Sequence, residues 1–108
     1  MDQIRQERWT ELIKRLAATF IERESNHDAL ISVTRVDLTE RLGHAIIYIS
    51  VLPENKEQAS LYFFTRNLGE LRNYIKKHAP GRVLPHLSVE IDMGEKNRQR
   101  IDQIKIPK

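Results

Sequence analysis

Apolar residues recur at helical spacing near the start of the chain: Trp9, Leu12, Ile13, Leu16, Ala17, Phe20 and Ile21 fall three and four positions apart. This pattern predicts an amphipathic helix over roughly residues 3–24, whose stripe needs a surface to cover, most simply a sheet. The polar run Glu24-Ser25-Asn26-His27-Asp28 stops it. Leu30 to Thr39 is rich in β-branched residues and reads as a strand. Glu40-Arg41-Leu42-Gly43 reads as a turn, and Ala45 to Val51 as a second strand with Ala45, Ile47, Ile49 and Val51 on one face. So short a connection implies an antiparallel hairpin. Pro53 and Asn55 end the strand.

Residues 55–78 return to helical period through Leu61, Phe64, Leu68, Leu71 and Ile75. Gly69 interrupts this run, and an interior glycine marks either a bend or a close backbone approach. Ala79-Pro80-Gly81 ends the helix. Leu87, Val89 and Ile91 then alternate with Ser88, Glu90 and Asp92, which predicts a third strand with one apolar and one exposed polar face. Pro85, lacking an N–H, suits its start. From Glu95 the chain is polar, with a weak helical pair at Ile101 and Ile104, and residues 95–108 are expected as a tail with room for flexibility. The expected order is α-β-β-α-(kink)-α-β, an α+β single domain with a three-stranded sheet and helices on one face.

Composition narrows the chemistry. The chain has 108 residues, enough for one core, and no cysteine, which excludes disulfides and thiolate metal sites and suits a reducing compartment. His27, His44, His78 and His86 show no paired ligand spacing, and neither a phosphate-cradling glycine loop nor a nucleophile–base pattern is present. No cofactor, metal, small-molecule substrate or catalysis is therefore expected. No apolar run approaches the roughly 20 residues of a membrane span, and the first eight residues contain no apolar signal core, so a cytoplasmic protein without a membrane partner is expected.

The net charge is +3, and its distribution says more than its size. Residues 66–86 carry Arg66, Arg72, Lys76, Lys77 and Arg82 against Glu70 alone, and a second basic excess lies beyond residue 95. Such blocks suit a polyanion or a solvated helix face, and charge alone favours solvation. Arg5, Arg8, Lys96, Arg98 and Arg100 could extend a footprint but read more simply as surface. Trp9, Phe20 and Phe64 read as core, which leaves Tyr62 or Phe63 as the exposed aromatic.

Three segments together carry a resemblance. Asn67-Leu68-Gly69-Glu70-Leu71-Arg72 resembles the kinked-helix signature of the ribosome-binding factor A family, Ala-x-Gly followed by a hydrophobic residue and arginine. Arg82-Val83-Leu84-Pro85-His86-Leu87-Ser88-Val89-Glu90-Ile91-Asp92 is similar to the strand that follows it in that family. Val33 to Thr39 with Ala45 to Val51 is similar to its hairpin, and the likeness covers roughly residues 4–104. Asn67 stands where the family has alanine, and Val89 where an aromatic residue is usual. The resemblance implies a type II KH-like fold without the GXXG loop that clamps RNA in other KH modules. It also implies a monomeric, non-catalytic factor that binds the immature small ribosomal subunit and 16S rRNA near the decoding region. Such a factor supports processing of the rRNA 5′ end, notably in the cold. Arg66, Asn67, Gly69, Arg72, Lys76, Lys77 and Arg82 then become the expected RNA-binding residues, with Arg72 foremost because it lies in the signature. Two other readings stay open: a protein-interaction or homodimeric module using an open sheet edge, and, more remotely, a small hydrolase of acylphosphatase size.

Overall fold

The computed structural model describes residues 3–25, 27–39 and 43–104. Helix α1 spans Gln3–Glu24, strand β1 Leu30–Leu38 and strand β2 His44–Leu52. The expected turn at residues 40–43 lies outside the described residues except for Gly43. A short 3-10 turn, Glu54–Lys56, leads into α2 (Glu57–Arg66), followed by α3 (Leu68–His78), β3 (His86–Ile91) and α4 (Met93–Ile104).

The sheet order is β1-β2-β3, with β1 antiparallel and β3 parallel to β2. The parallel pairing follows from the long helical crossover between β2 and β3. On β2 the alternating residues Ala45, Ile47, Ile49 and Val51 are all buried beneath the helices. α1 packs on β1 and beside α3, while α2 packs on β3 and β2. Ile13, Ile47, Ile49, Phe64, Leu71 and Ile75 are the largest fully buried side chains, so all three of these helices feed one core.

The β1–β2 register shifts between Val33 and Arg35. Val33 opposes Ile49 and Val36 opposes Ile47, so the extra residue, Thr34, lets apolar residues of both parities reach the helix-covered face. Thr34 turns its hydroxyl toward Asp92, donating to Oδ2 at 2.5 Å.

Asp92 corrects one expectation. It is buried, only 6% exposed, rather than a solubilising residue on the polar strand face. Its carboxylate accepts from Thr34, from the Arg35 guanidinium at 3.4 Å and from the Glu95 backbone N–H at 3.0 Å. The last bond caps α4, and Asp92-x-x-Glu95 has the spacing of a capping box. This cap explains why the polar segment from Glu95 is helical as far as Ile104. The expected helical pair Ile101 and Ile104 has its side chains outside the described residues, as do residues 105–108 altogether. Lys96 ties α4 to the start of α2: its ammonium lies 2.9 Å from Glu57 and 3.0 Å from Glu54. Hydrogen bonds to Glu57 and then to Glu54 hold Lys96 above the ordinary lysine value of 10.5.

Two outcomes follow. Asp92→Ala should lower unfolding stability by about 2–3 kcal/mol, through one lost cap and the lost charged hydrogen bonds from Thr34 and Arg35, as measured by urea denaturation. Lys96→Gln should speed amide exchange across residues 93–104 while leaving β2 protected. Because the folded lysine value is raised, the tie is complete below pH 10.5 and is lost as pH climbs through the raised value, which helix content followed by circular dichroism should report.

Candidate nucleic-acid interface

The interruption between α2 and α3 sits at Asn67, two residues before the glycine. Asn67 has φ −102° and ψ 11°, off the helical values. Its backbone N–H donates to the Phe63 and Phe64 carbonyls, each at 3.1 Å, and its side-chain amide donates to the Phe63 carbonyl at 2.8 Å. The Asn67 carbonyl then accepts from the Leu71 N–H at 2.9 Å, opening α3. One asparagine thus closes one helix and begins the next, as expected of a side chain that competes for backbone groups. Gly69 lies inside α3, exposed, and an added Cβ there would meet nothing within 4 Å. Its packing on the sheet therefore does not require a glycine.

The expected basic residues occupy different surroundings. Arg66 is exposed at the end of α2, its guanidinium 5.1 Å from the ring centre of Tyr62, itself 65% exposed. Phe63 is half-buried, so Tyr62 is the more exposed aromatic of the pair. Arg72 is half-buried and donates to the Pro85 carbonyl at 2.7 Å. It braces the approach to β3 against α3. Lys76, one turn further along the same flank, is exposed.

Lys77 turns the other way, toward α1. It lines a groove with Arg23, Asn73 and Tyr74. Among the described residues neither Lys76 nor Lys77 has an ion-pair partner, so both ammonium groups are available to an anion. Arg82 follows the turn at Gly81, whose φ of +85° suits glycine, and lies 4.7 Å from the ring centre of Trp9 on α1. The block at residues 66–82 therefore divides: Arg72 and Lys76 share one flank of α3, Lys77 and Arg82 adjoin α1, and Arg66 stands before the break.

Sequence reasoning did not single out Arg23. Its guanidinium reaches across to the α3 ring of Tyr74, 5.3 Å from the centroid. Its place three residues after Phe20 put it on the edge of the α1 stripe, but its partner came from 51 positions further along the chain.

A family model described as ribosome-binding factor A matches residues 5–105. The chain belongs to the ribosome-binding factor A family. Ribosome-binding factor A of Thermomicrobium roseum is 29% identical over 107 residues, covering 96% of this chain and 83% of that protein. The Natranaerobius thermophilus protein of that name is 26% identical over 107 residues, covering 96% and 82% respectively. The crystal structure of ribosome-binding factor A from Thermus thermophilus matches with a TM-score of 0.67 at 22% identity, over 76% of this chain and 90% of that one. This last likeness is one of fold, and it agrees with the KH-like architecture expected from the sequence. No helix among the described residues is long and apolar enough to cross a membrane.

Along α3 of this ribosome-binding factor A family member, Arg72 is a brace while Lys76 and Lys77 are free cations. Arg72→Ala should cost about 1.5–3 kcal/mol of stability, because it removes a charged hydrogen bond to a buried proline's carbonyl. Lys76→Ala and Lys77→Ala should each stay within about 0.5 kcal/mol of the parent in the same urea titration. Equal, small losses at all three positions would show that Arg72 is not a brace.

Proposed function

We propose that this chain binds the immature small ribosomal subunit through 16S rRNA and assists rRNA processing and subunit maturation as a monomeric, non-catalytic cytoplasmic factor. Family membership supports a ribosome-associated role, because the relatives it matches bear the name ribosome-binding factor A. The observation that carries the RNA contact is the pair of exposed lysines, Lys76 and Lys77, without ion-pair partners among the described residues on a helix that starts at a break. A lysine outside any ion pair can bring its charge to a phosphate and release a condensed counterion from the RNA.

In this reading Lys76, Lys77, Arg66 and Arg82 contact phosphates. Asn67 sets the bend that aims them, and Gly69 leaves the first turn of α3 open to close approach. Arg72 holds the scaffold and offers its remaining N–H groups. The 5′ end of the rRNA is the region whose processing depends on this contact, most visibly in the cold. The bulge at Thr34 weighs against a dimer formed on the β1 edge, because it interrupts the strand on which a second chain would pair there.

Sedimentation with purified subunits tests the proposal. The protein should travel with small subunits at low salt, be released at high salt, and leave large subunits bare. Equal recovery with both subunits, or none with either, would overturn the reading. Reversing both charges (Lys76→Glu with Lys77→Glu) should flatten the salt dependence by about 0.7–0.9 per lysine in log–log slope, with the fold unchanged. Unaltered binding by that variant would place the interface elsewhere.

A further inference from the structure

The groove between α1 and α3 has a volume of about 390 Å³, at the lower end of the range that accepts small ligands. Its lining combines chemistry from two helices far apart in sequence. Arg23 and Glu24 come from the end of α1; Glu70, Asn73, Tyr74 and Lys77 come from α3. The ring of Tyr74 has three neighbours: the Arg23 guanidinium at 5.3 Å, the His78 ring at 4.4 Å, tilted by 48°, and at the groove floor the Phe20 ring at 5.8 Å. Glu70 and Lys77 are seven residues apart, about 10 Å along the helix axis, with Tyr74 between them. The groove thus has two carboxylates, Glu24 and Glu70, an aromatic centre with a planar cation, and an ammonium one helical heptad beyond Glu70.

Resting on the rRNA-binding reading above, we propose that this groove receives one unpaired RNA nucleotide. The phosphate lies at Lys77. The base lies against Tyr74 and Arg23, a ring and a guanidinium plane of the kinds on which unstacked bases settle. The Asn73 carboxamide offers a donor and an acceptor to the base edge. Glu70, at the far end from Lys77, accepts from an exocyclic amino group, as carboxylates do from cytosine N4. Charge polarity sets the direction, since a phosphate at Glu70 would be repelled. Adenine, cytosine and guanine carry such an amino group. Uracil carries none, so it is the base this groove accepts least well.

The test compares hexaadenylate with hexauridylate, each fluorescein-labelled, by anisotropy at fixed salt, with small-subunit sedimentation run in parallel. The parent should prefer hexaadenylate by about fivefold or more, the lower range of a single well-made base contact. Lys77→Ala should weaken both oligonucleotides several-fold more than Lys56→Gln, which removes a charge outside the groove. Glu70→Ala, which removes the acceptor altogether, should erase the base preference whatever it does to overall affinity. In a ¹H–¹⁵N titration with hexaadenylate, the Asn73 side-chain amide should shift and Thr34 should not.

An unchanged base ratio in Glu70→Ala, or equal effects of Lys77→Ala and Lys56→Gln, would overturn the groove. So would hexamers that fail to bind while small subunits still do, and in that case the subunit reading stands. Failure with subunits as well removes both.

Discussion

One apolar sheet face must be covered, and the positions of all the other elements follow from that requirement. Ala45, Ile47, Ile49 and Val51 make the centre of this face on β2. The Thr34 bulge recruits Ile31, Val33, Val36 and Leu38 of β1 to the same side despite their mixed parity. α1 lies over β1. The run from Glu57 to His78 has to serve both β3 and the flank of α1, and the break at Asn67 lets it do so as two shorter helices. Leu71 and Ile75 beyond the break are as completely buried as Phe64 before it.

The break also governs the charges. Bases spaced along an unbroken helix would keep the angular positions that their spacing dictates. Here Arg66 belongs to α2 and the others to α3 or the loop after it. Packing then assigns each a role: Arg72 reaches the Pro85 carbonyl, Arg82 lies over Trp9, and Lys77 meets the end of α1. Half-burial makes the Arg72 bond more consequential than a surface contact, since losing it would strand a carbonyl in low dielectric. Lys76 and Lys77 keep their charge for an outside partner because neither is held in an ion pair among the described residues. At the far side of the molecule Asp92 couples three elements, joining β1 through Thr34 and Arg35, ending β3, and starting α4.

Much of this was legible from residue order. The long stripe of α1, the hairpin and the alternation of Leu87, Val89 and Ile91 each carry their own period, and periods survive in any tertiary context. The bend was legible to within two residues. Glycine is the residue that propensity flags, yet Gly69 keeps helical geometry, and the asparagine two positions before it breaks the helix by capturing the Phe63 carbonyl. Asp92 was misread because alternation assigns it to the polar face, and alternation knows nothing of a threonine 58 positions away that donates to its carboxylate.

Local pattern alone therefore determined the element order, the apolar face and the clustering of cations around residues 66–82. Those properties depend only on neighbours within a few positions. Which cations brace the fold and which face outward, where the α1–α3 groove lies, and why the segment after Asp92 holds a helix were decided by tertiary structure. Each of these depends on a contact between residues distant in sequence, Arg23 with Tyr74, Arg72 with Pro85, Lys96 with Glu57, and no periodicity along the chain encodes such a meeting.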